Sequence, residues 1–302
     1  MPTRTLTAAE TGPVEIDASL LGHGGTLTIH AQSDCDRATL TITTTDETGP
    51  SADAVRDATL RRTGTGLAAR VQGAGSSSGT TIVTGGQDGI SVVQSFGTVT
   101  GTVIGMQVGG GGVFINGVRV DGRSGGTIVQ GNSPIDITAI VPEGSSVTAH
   151  SESATVTAQG GLADVQANSV SGSVGVDHAQ RADITTTSGR IAVNRADDIN
   201  ARSISGAIRL GRTDIVTADT TSGRIAIDDF GGTAHLTSVS GAIRVHATSG
   251  GNINATTTSG AIDVTATEAA LADHLNTRAN SVSGRVRTPQ RRTGGNEPRR
   301  RR

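Results

Sequence analysis

Aromatic side chains are nearly missing from this chain of 302 residues, which has no Trp, no Tyr and only three Phe. Aliphatic side chains and Ala must therefore provide almost all of the apolar burial, although a compact globule of this size would normally use more aromatics. The chain also lacks an aromatic platform for stacking sugars or bases. Gly contributes 43 residues, and the abundance of Gly, Thr, Ser, Val and Ile favours β structure with many turns.

Cysteine and long apolar runs are equally scarce. Cys35 is the only cysteine, which excludes an intrachain disulfide and a zinc site built from cysteines. The chain has no run of about 18 apolar residues, and its first residues lack the apolar stretch of a signal peptide. We therefore expect a soluble, cytoplasmic protein without a transmembrane segment.

Charge is distributed unevenly along the chain. The formal net charge is -2, but residues 285–302 hold eight Arg and one Glu, so the rest of the chain carries -9. The sequence thus indicates an acidic body followed by a basic tail. Such a tail attracts phosphates or acidic surfaces without base specificity, although it could equally be a solvated, solubilising segment.

A Ser-Gly step recurs seven times in the second half of the chain, and internal repeats of this kind define the fold. Successive steps are 17, 17, 17, 18, 19 and 24 residues apart, and a degenerate eighth copy lies at Ser153-Ala154. The seven steps are Ser171-Gly172, Ser188-Gly189, Ser205-Gly206, Ser222-Gly223, Ser240-Gly241, Ser259-Gly260 and Ser283-Gly284.

Each repeat has the pattern of two short strands. The second and fourth residues after the Gly are mostly β-branched, as in Ile208 and Leu210, and the seventh and fifth before it pair a large residue with Ala, as in Val216 and Ala218. A period of two residues is typical of a strand with one buried face. The pairing of a large side chain with Ala would fill a narrow interior without overpacking it. We predict an all-β fold, a parallel β-solenoid or β-helix with about 17 to 19 residues per coil. The Gly would allow a positive backbone φ at each turn.

The repeats leave open whether one coil holds one unit or two, because Ser-Val-Ser-Gly or Ser-Ile-Ser-Gly alternates with Thr-Thr-Ser-Gly. With one unit per coil, neighbouring strands interleave Arg with Ala on the outer surface, whereas a double unit would stack Arg190 on Arg224. We therefore favour one unit per coil. In that register Arg202 lies beside Asp219, as an exposed ion pair.

Four segments follow from these patterns. They are residues 1–72, an N-terminal β region that caps the solenoid; 73–133, a Gly-rich insertion; 134–288, the solenoid repeats; and 289–302, a disordered Arg-rich tail. Asn116-Gly117 predicts a hairpin turn within the insertion, which also contains Phe114. The last two Ser-Gly steps are 24 residues apart, and the extra residues between them predict a short helix with Thr267 as N-cap. We expect this helix to cover the C-terminal end of the solenoid.

The Ser-Gly-x-Ile-x-Val repeat, together with residues 135–147 before it, resembles bacterial adhesin-like β-helical proteins of the adhesin-head type, whose functions are largely unknown. The resemblance covers residues 134–288, about half of the chain. It implies a parallel β-helix and transfers no catalytic residue. Many relatives carry an acidic residue directly after the Ser-Gly step. Here that place is held by Ser173, Arg190, Ala207, Arg224, Ala242, Ala261 and Arg285.

Catalytic and metal-binding patterns are missing from the repeats. A polysaccharide-active enzyme needs clustered acidic groups, but Asp177 and Asp228 of one column lie three coils apart. The seven His show no ligand spacing, and a Ser that recurs in every coil indicates a structural role. We expect no enzyme activity, no cofactor and no metal.

The leading hypothesis is a non-enzymatic scaffold or adhesin-like binding module of unknown ligand. The alternatives are a self-assembling, filament-forming protein, because solenoid ends are open strand edges, and, more weakly, a polysaccharide-active β-helix enzyme. The partner could be an acidic protein or a polyanion. The candidate interaction residues are Arg190, Arg209, Arg224 and Arg244 on the outer face, Phe114 in the insertion, and Arg299, Arg300, Arg301 and Arg302 in the tail.

Overall fold

The structure is a computed structural model that describes residues 1–72 and 133–289, together with the backbone of six short strands between residues 80 and 130. The N-terminal elements alternate strands with one helix. They are β1 (Thr3–Thr7), β2 (Glu15–Leu21), β3 (Gly25–Gln32), β4 (Thr39–Thr44), α1 (Pro50–Asp57), β5 (Thr59–Thr63) and β6 (Gly66–Gln72).

Six strands lie in the Gly-rich part of the chain and form two small antiparallel sheets. They are β7 (Thr80–Gly86), β8 (Gly89–Ser95), β9 (Val108–Gly109), β10 (Gly112–Ile115), β11 (Val118–Val120) and β12 (Thr127–Gln130). β7 pairs with β8 and β12, and β10 pairs with β9 and β11. The Asn116-Gly117 step itself lies outside the described residues.

The repeats form long strands that stack in parallel. The elements are β13 (Ile135–Pro142), β14 (Ser146–Ser151), β15 (Thr155–Ser169), β16 (Val174–Thr186), β17 (Ile191–Ser203), β18 (Ile208–Thr220), β19 (Ile225–Ser238), β20 (Ile243–Thr257), β21 (Ile262–Ala266), α2 (Glu268–Ala272), β22 (Asn276–Ser281) and β23 (Val286–Arg287).

Each long strand turns a corner and contributes to two sheets. The first part of β15 pairs with β3, whereas its second part pairs with β14. The alternation of buried residues changes phase at the same place: Val174 and Val176 are buried, then Ala179, and then Ala182 and Ile184. We call the sheet after each Ser-Gly step face A and the sheet before it face B. Their side chains meet in one continuous apolar core.

The register confirms one unit per coil. Ile191, Ile208 and Ile225 are aligned on successive strands at a step of 17 residues, and the later steps reach Ile243 and Ile262. The predicted parallel β-solenoid is therefore confirmed. The predicted neighbours Arg202 and Asp219 are aligned in register, and Nε of Arg202 lies 3.9 Å from Oδ2 of Asp219.

The glycines of the Ser-Gly steps are required for a different reason than the sequence suggested. None of the seven has a positive φ, so the predicted left-handed turn is wrong. A Cβ at Gly206 would instead overlap the backbone carbonyl oxygen of Gly189 in the preceding coil, and the same overlap recurs between Gly223 and Gly206. Close contact between successive turns, and not turn handedness, excludes other residues here.

A hydroxyl three residues before the Gly supports five of the seven turns. Ser203 Oγ accepts a hydrogen bond from the N–H of Gly206 at 2.8 Å, and Thr220 Oγ1 accepts one from the N–H of Gly223 at 2.9 Å. The same bond recurs at Ser238-Gly241, Thr257-Gly260 and Ser281-Gly284. Because a buried N–H without a partner is costly, a hydroxyl is required three residues before each of these five Gly. Thr186 Oγ1 instead donates to the carbonyl of Gly189 at 2.9 Å, and Ser169 Oγ has no hydrogen-bond partner among the described residues.

N-terminal strands extend the stack at its first end. β3 pairs in parallel with β13 and β15, and β2 pairs in parallel with β14 and β6. Beyond them the sheets become antiparallel, since β4 pairs with β13 and β1, and β5 pairs with β6. The helix α1 packs against β1, β4 and β6, with Ala52 and Val55 fully buried.

The predicted C-terminal helix is present but does not cover the last strands. Thr267 Oγ1 accepts a hydrogen bond from the N–H of Ala270 at 3.1 Å, which is the expected N-cap. α2 packs against β20, with Ala270 fully buried in the core. The helix therefore covers part of β20 and leaves the last strands β22 and β23 outside its packing, so it covers the C-terminal end only in part.

Candidate interaction face

The four arginines predicted on the outer surface all lie exposed on face A, in two adjacent columns. Arg190 and Arg224 follow the Ser-Gly step directly, and Arg209 and Arg244 lie two residues further along. Ala192, Arg209, Ala226 and Arg244 are aligned on successive strands, so Arg alternates with Ala within a column. Equivalent guanidinium groups are therefore about 10 Å apart, twice the strand spacing. This spacing limits repulsion between like charges.

Within residues 1–72 and 133–289, one of these four arginines is paired with a carboxylate. Nε and Nη2 of Arg209 each lie 2.9 Å from Oδ2 of Asp228. Among the described residues, no carboxylate forms an ion pair with Arg190, Arg224 or Arg244. An exposed ion pair contributes little to stability, so a partner could displace Asp228 at small cost. Face A thus offers charged groups with unused hydrogen-bond donors.

A shallow cavity of about 350 Å³ lies at the C-terminal end of face A. Arg224 and Arg244 line it together with Arg285 and Arg287, and Asp263 is the single carboxylate in the lining. Sequence reasoning counted Arg285 and Arg287 with the charges of the basic C-terminal end and did not include them in the site. The sequence contained the information needed to find them, because Arg285 and Arg287 occupy the first and third positions after the last Ser-Gly step.

A second basic column lies at the corner between the two faces. His178, Arg195 and Arg212 are aligned on three successive strands, followed by Asp229. Arg195 and Arg212 thus face each other in register, an arrangement that costs a few tenths of a kcal/mol to about 1 kcal/mol. Neither forms an ion pair with another described residue. Sequence reasoning missed this column because strand periodicity breaks at the corner.

The remaining site predictions fall elsewhere. Phe114 and the tail residues Arg299 to Arg302 lie outside the residues whose side chains the structure describes. Asp177 accepts a hydrogen bond from Nδ2 of Asn194 at 3.0 Å, while Asp228 is bound to Arg209. Across residues 1–72 and 133–289, no group of His, Cys, Asp and Glu has an arrangement that could hold a metal ion.

His23 is a buried ionisable group with a displaced pKa. Its side chain is only 4% exposed at the turn between β2 and β3, and no described residue forms a hydrogen bond with its Nε2. Burial lowers the pKa of His23 below its ordinary value of 6.5, because the charged imidazolium would be poorly solvated there.

These features define a parallel β-solenoid protein with a regular, basic outer face. Residues 118–301 match the Toastrack DUF4097 family, and the chain belongs to this family. The β-helical repeat relationship predicted from the Ser-Gly steps is thereby confirmed at the level of the family. No curated protein matches the chain.

Three crystal structures resemble this chain at low identity. A putative adhesin from Parabacteroides merdae is 10% identical, with a TM-score of 0.41 and 94% of each chain covered. A putative adhesin from Parabacteroides distasonis is 11% identical, with a TM-score of 0.42, covering 94% of this chain and 96% of that one. A putative lipid binding protein from Parabacteroides distasonis is 12% identical, with a TM-score of 0.39 and 94% of each chain covered.

Neither helix within the described residues has the length and apolar character needed to cross a bilayer.

Proposed function

We propose that this chain is a non-enzymatic binding scaffold whose face A binds an anionic macromolecule. The observation that carries this proposal is the pair of Arg columns on face A. Arg190, Arg224 and Arg244 have no carboxylate partner among the described residues, and Arg209 has one exposed partner. A rigid stack presents these side chains at a fixed spacing, so binding costs little ordering of the backbone.

The arrangement favours a ligand with several acidic groups over a single small anion. The two columns are two residues apart along a strand and successive coils are about 4.8 Å apart, which places neighbouring guanidinium groups roughly 8 Å from each other. Arg binds carboxylates and phosphates through two parallel hydrogen bonds, in a geometry that Lys cannot reproduce. An acidic protein surface or a polyanion could engage four or more such groups at once.

Fluorescence anisotropy with labelled poly-L-glutamate tests the proposal. Replacing Arg190, Arg209, Arg224 and Arg244 together by Glu should weaken binding at least about 100-fold, because attraction becomes repulsion. The control replaces four exposed arginines elsewhere by Glu, with the same change in net charge: Arg37, Arg61, Arg70 and Arg181. The control should keep most of the affinity. Equal losses in both variants would show that net charge alone drives binding and would overturn the assignment to face A.

Self-assembly into filaments is a weaker candidate. Head-to-tail stacking needs an accessible strand edge and an open core at both ends. At the first end α1 packs over the core and the flanking strands are antiparallel, which supports our further proposal that residues 1–72 cap the solenoid there. The boundaries predicted for the Gly-rich insertion and the basic tail stay predictions, as does the cytoplasmic location.

A polysaccharide-active enzyme is supported least. Asp177 and Asp228 share a column but lie three coils apart, roughly 14 Å at the usual strand spacing. Glycosidases place their two carboxyl groups about 5 to 9.5 Å apart. Asp228 is also engaged by Arg209 at 2.9 Å, which leaves it poorly suited to act as a general acid.

A further inference from the structure

The last coil of the solenoid ends in two strands with one free edge each. Among the described residues, β22 pairs only with β20 on face B, and β23 pairs only with β21 on face A. All earlier strands from β15 to β19 have a neighbour on both sides in each face. We call the outer edges of β22 and β23 the terminal edge.

Core positions are exposed at the terminal edge. Val286 occupies the place of Ile262 in the coil before it, but it is 38% exposed, whereas Ile262 is 1% exposed. Thr277 occupies the place of Ile253, and its buried Oγ1 has no hydrogen-bond partner in the described part of the chain. A further strand would cover both positions and could supply the missing partner.

Backbone groups of the last coil point outward at this edge. Ile262 donates its N–H to the carbonyl of Arg285 at 2.9 Å, and Val282 donates to the carbonyl of Thr257 at 3.2 Å. Backbone groups in a parallel strand point to its two sides alternately. The N–H and C=O of Val286 and Ala279 therefore face away from the stack. These are the groups that an added strand uses.

The opposite end differs in this respect. There α1 fully buries Val55, and Nη1 of Arg4 on β1 donates to the carbonyl of Arg56 in this helix at 2.8 Å. Nε of Arg62 on β5 donates to the carbonyl of Thr7 at 2.9 Å, which ties the two outer strands together. β1 and β5 are also edge strands, each with one paired neighbour among the described residues, but α1 packs over the core there, whereas core positions are exposed at the other end.

Charge at the terminal edge selects the kind of strand that fits. Arg285 and Arg287 flank Val286 on the outer surface, and with Arg224 and Arg244 they line the cavity of about 350 Å³. None of these four forms an ion pair with a described residue. A second copy joined edge to edge would bring Arg278, Arg285 and Arg287 of both copies together, which disfavours that occupant.

We propose that the terminal edge binds an extended, acidic segment of another protein by strand addition. Backbone hydrogen bonds to Val286 and Ala279 provide the pairing, alternate apolar side chains cover the last coil, and acidic side chains on the outer face meet Arg285 and Arg287. The proposal deepens the proposed function, because it names one anionic partner class for the end of face A.

The N–H of Val286 allows a selective test. It points out of the stack, so Val286→Pro removes a donor for an added strand without breaking a bond inside the solenoid, and Pro is tolerated on edge strands. Val286→Ala is the matched control, since it shortens the same side chain but keeps the N–H. Both variants should melt within about 3 °C of the wild-type full-length chain.

The probe is a fluorescein-labelled seven-residue peptide of alternating Glu and Val, compared with a Lys and Val counterpart. We expect the Glu peptide to bind, Val286→Pro to weaken its binding at least about 10-fold, and Val286→Ala to change it less than about threefold. Poly-L-glutamate binding should be the same for Val286→Pro as for the wild type. If the face A variant loses poly-L-glutamate binding and Val286→Pro keeps it, failure of one proposal can be distinguished from failure of the other.

Binding and assembly measurements can give four results that would overturn the proposal. They are failure of the Glu peptide to bind, equal binding of the Lys peptide, binding that Val286→Pro leaves unchanged, and a wild-type dimer in light scattering that Val286→Pro separates. The last result would identify a second copy as the occupant. Slow amide exchange of Val286 in the peptide-free chain would likewise contradict it, because the edge would already be paired.

Discussion

Ser203 accepts a hydrogen bond from the backbone N–H of Gly206 through its Oγ, at 2.8 Å, and the same Oγ accepts a second one from Thr186 Oγ1 of the preceding coil at 3.2 Å. Ser203 is 6% exposed, so neither bond competes with bulk water. These two hydrogen bonds thus connect the turn within one coil to the preceding coil.

Ser203→Ala should destabilise the solenoid because it leaves the N–H of Gly206 buried without an acceptor. We expect a loss of about 1 to 3 kcal/mol in the free energy of unfolding, measured by urea denaturation. Ser203→Thr is the control, since Thr occupies this position in neighbouring coils, and it should change stability by less than about 0.5 kcal/mol. Equal effects of the two substitutions would show that the hydroxyl is not the important group.

Gly206→Ala should be strongly destabilising although Ala normally favours regular structure more than Gly. The added Cβ would overlap the carbonyl oxygen of Gly189, so the two turns must separate. We expect a loss above about 2 kcal/mol. Gly161→Ala serves as the comparison, since no atom lies within 4 Å of its added Cβ and its φ is not positive. Unchanged melting of Gly206→Ala would refute the close contact between turns.

Ile208→Asp tests the inward register of face A. The Ile208 side chain is 1% exposed, so the substitution buries a carboxylate without a partner and should reduce stability by more than about 4 kcal/mol or prevent folding. Ile215→Asp makes the same change at a residue that is 54% exposed, and it should alter the melting temperature little. Thermal unfolding followed by circular dichroism measures both, and similar melting of the two variants would invalidate the register.

Stability should fall as the pH decreases through the ordinary His pKa. Burial lowers the pKa of His23, so the unfolded chain binds its proton more readily than the folded one. The contribution is therefore fully present above about pH 6.5 and is lost progressively below it. His23→Gln cannot titrate and should flatten the decline in urea midpoint between pH 7 and pH 5. Parallel pH profiles for wild type and variant would exclude His23 as the cause.

Interior columns such as Ile208 and Leu210 could be predicted from the sequence because their period of two reflects the strand itself. The reason for Gly206 could not, since the atom that excludes a side chain belongs to the preceding coil. Arg195 and Arg212 were missed for a similar reason, because the corner breaks the period that located Arg190 and Arg224. β2 and β3 carry no Ser-Gly step, so nothing in the sequence aligned them with the stack.

The salt dependence of poly-L-glutamate binding tests the central claim most directly. If the Arg columns of face A form the contact, the logarithm of the binding constant should fall steeply with the logarithm of salt concentration for the wild type. The slope should be much shallower when Arg190, Arg209, Arg224 and Arg244 are replaced by Glu, and nearly unchanged in the matched control on other surfaces. Equal slopes for all three proteins would contradict a binding role for face A.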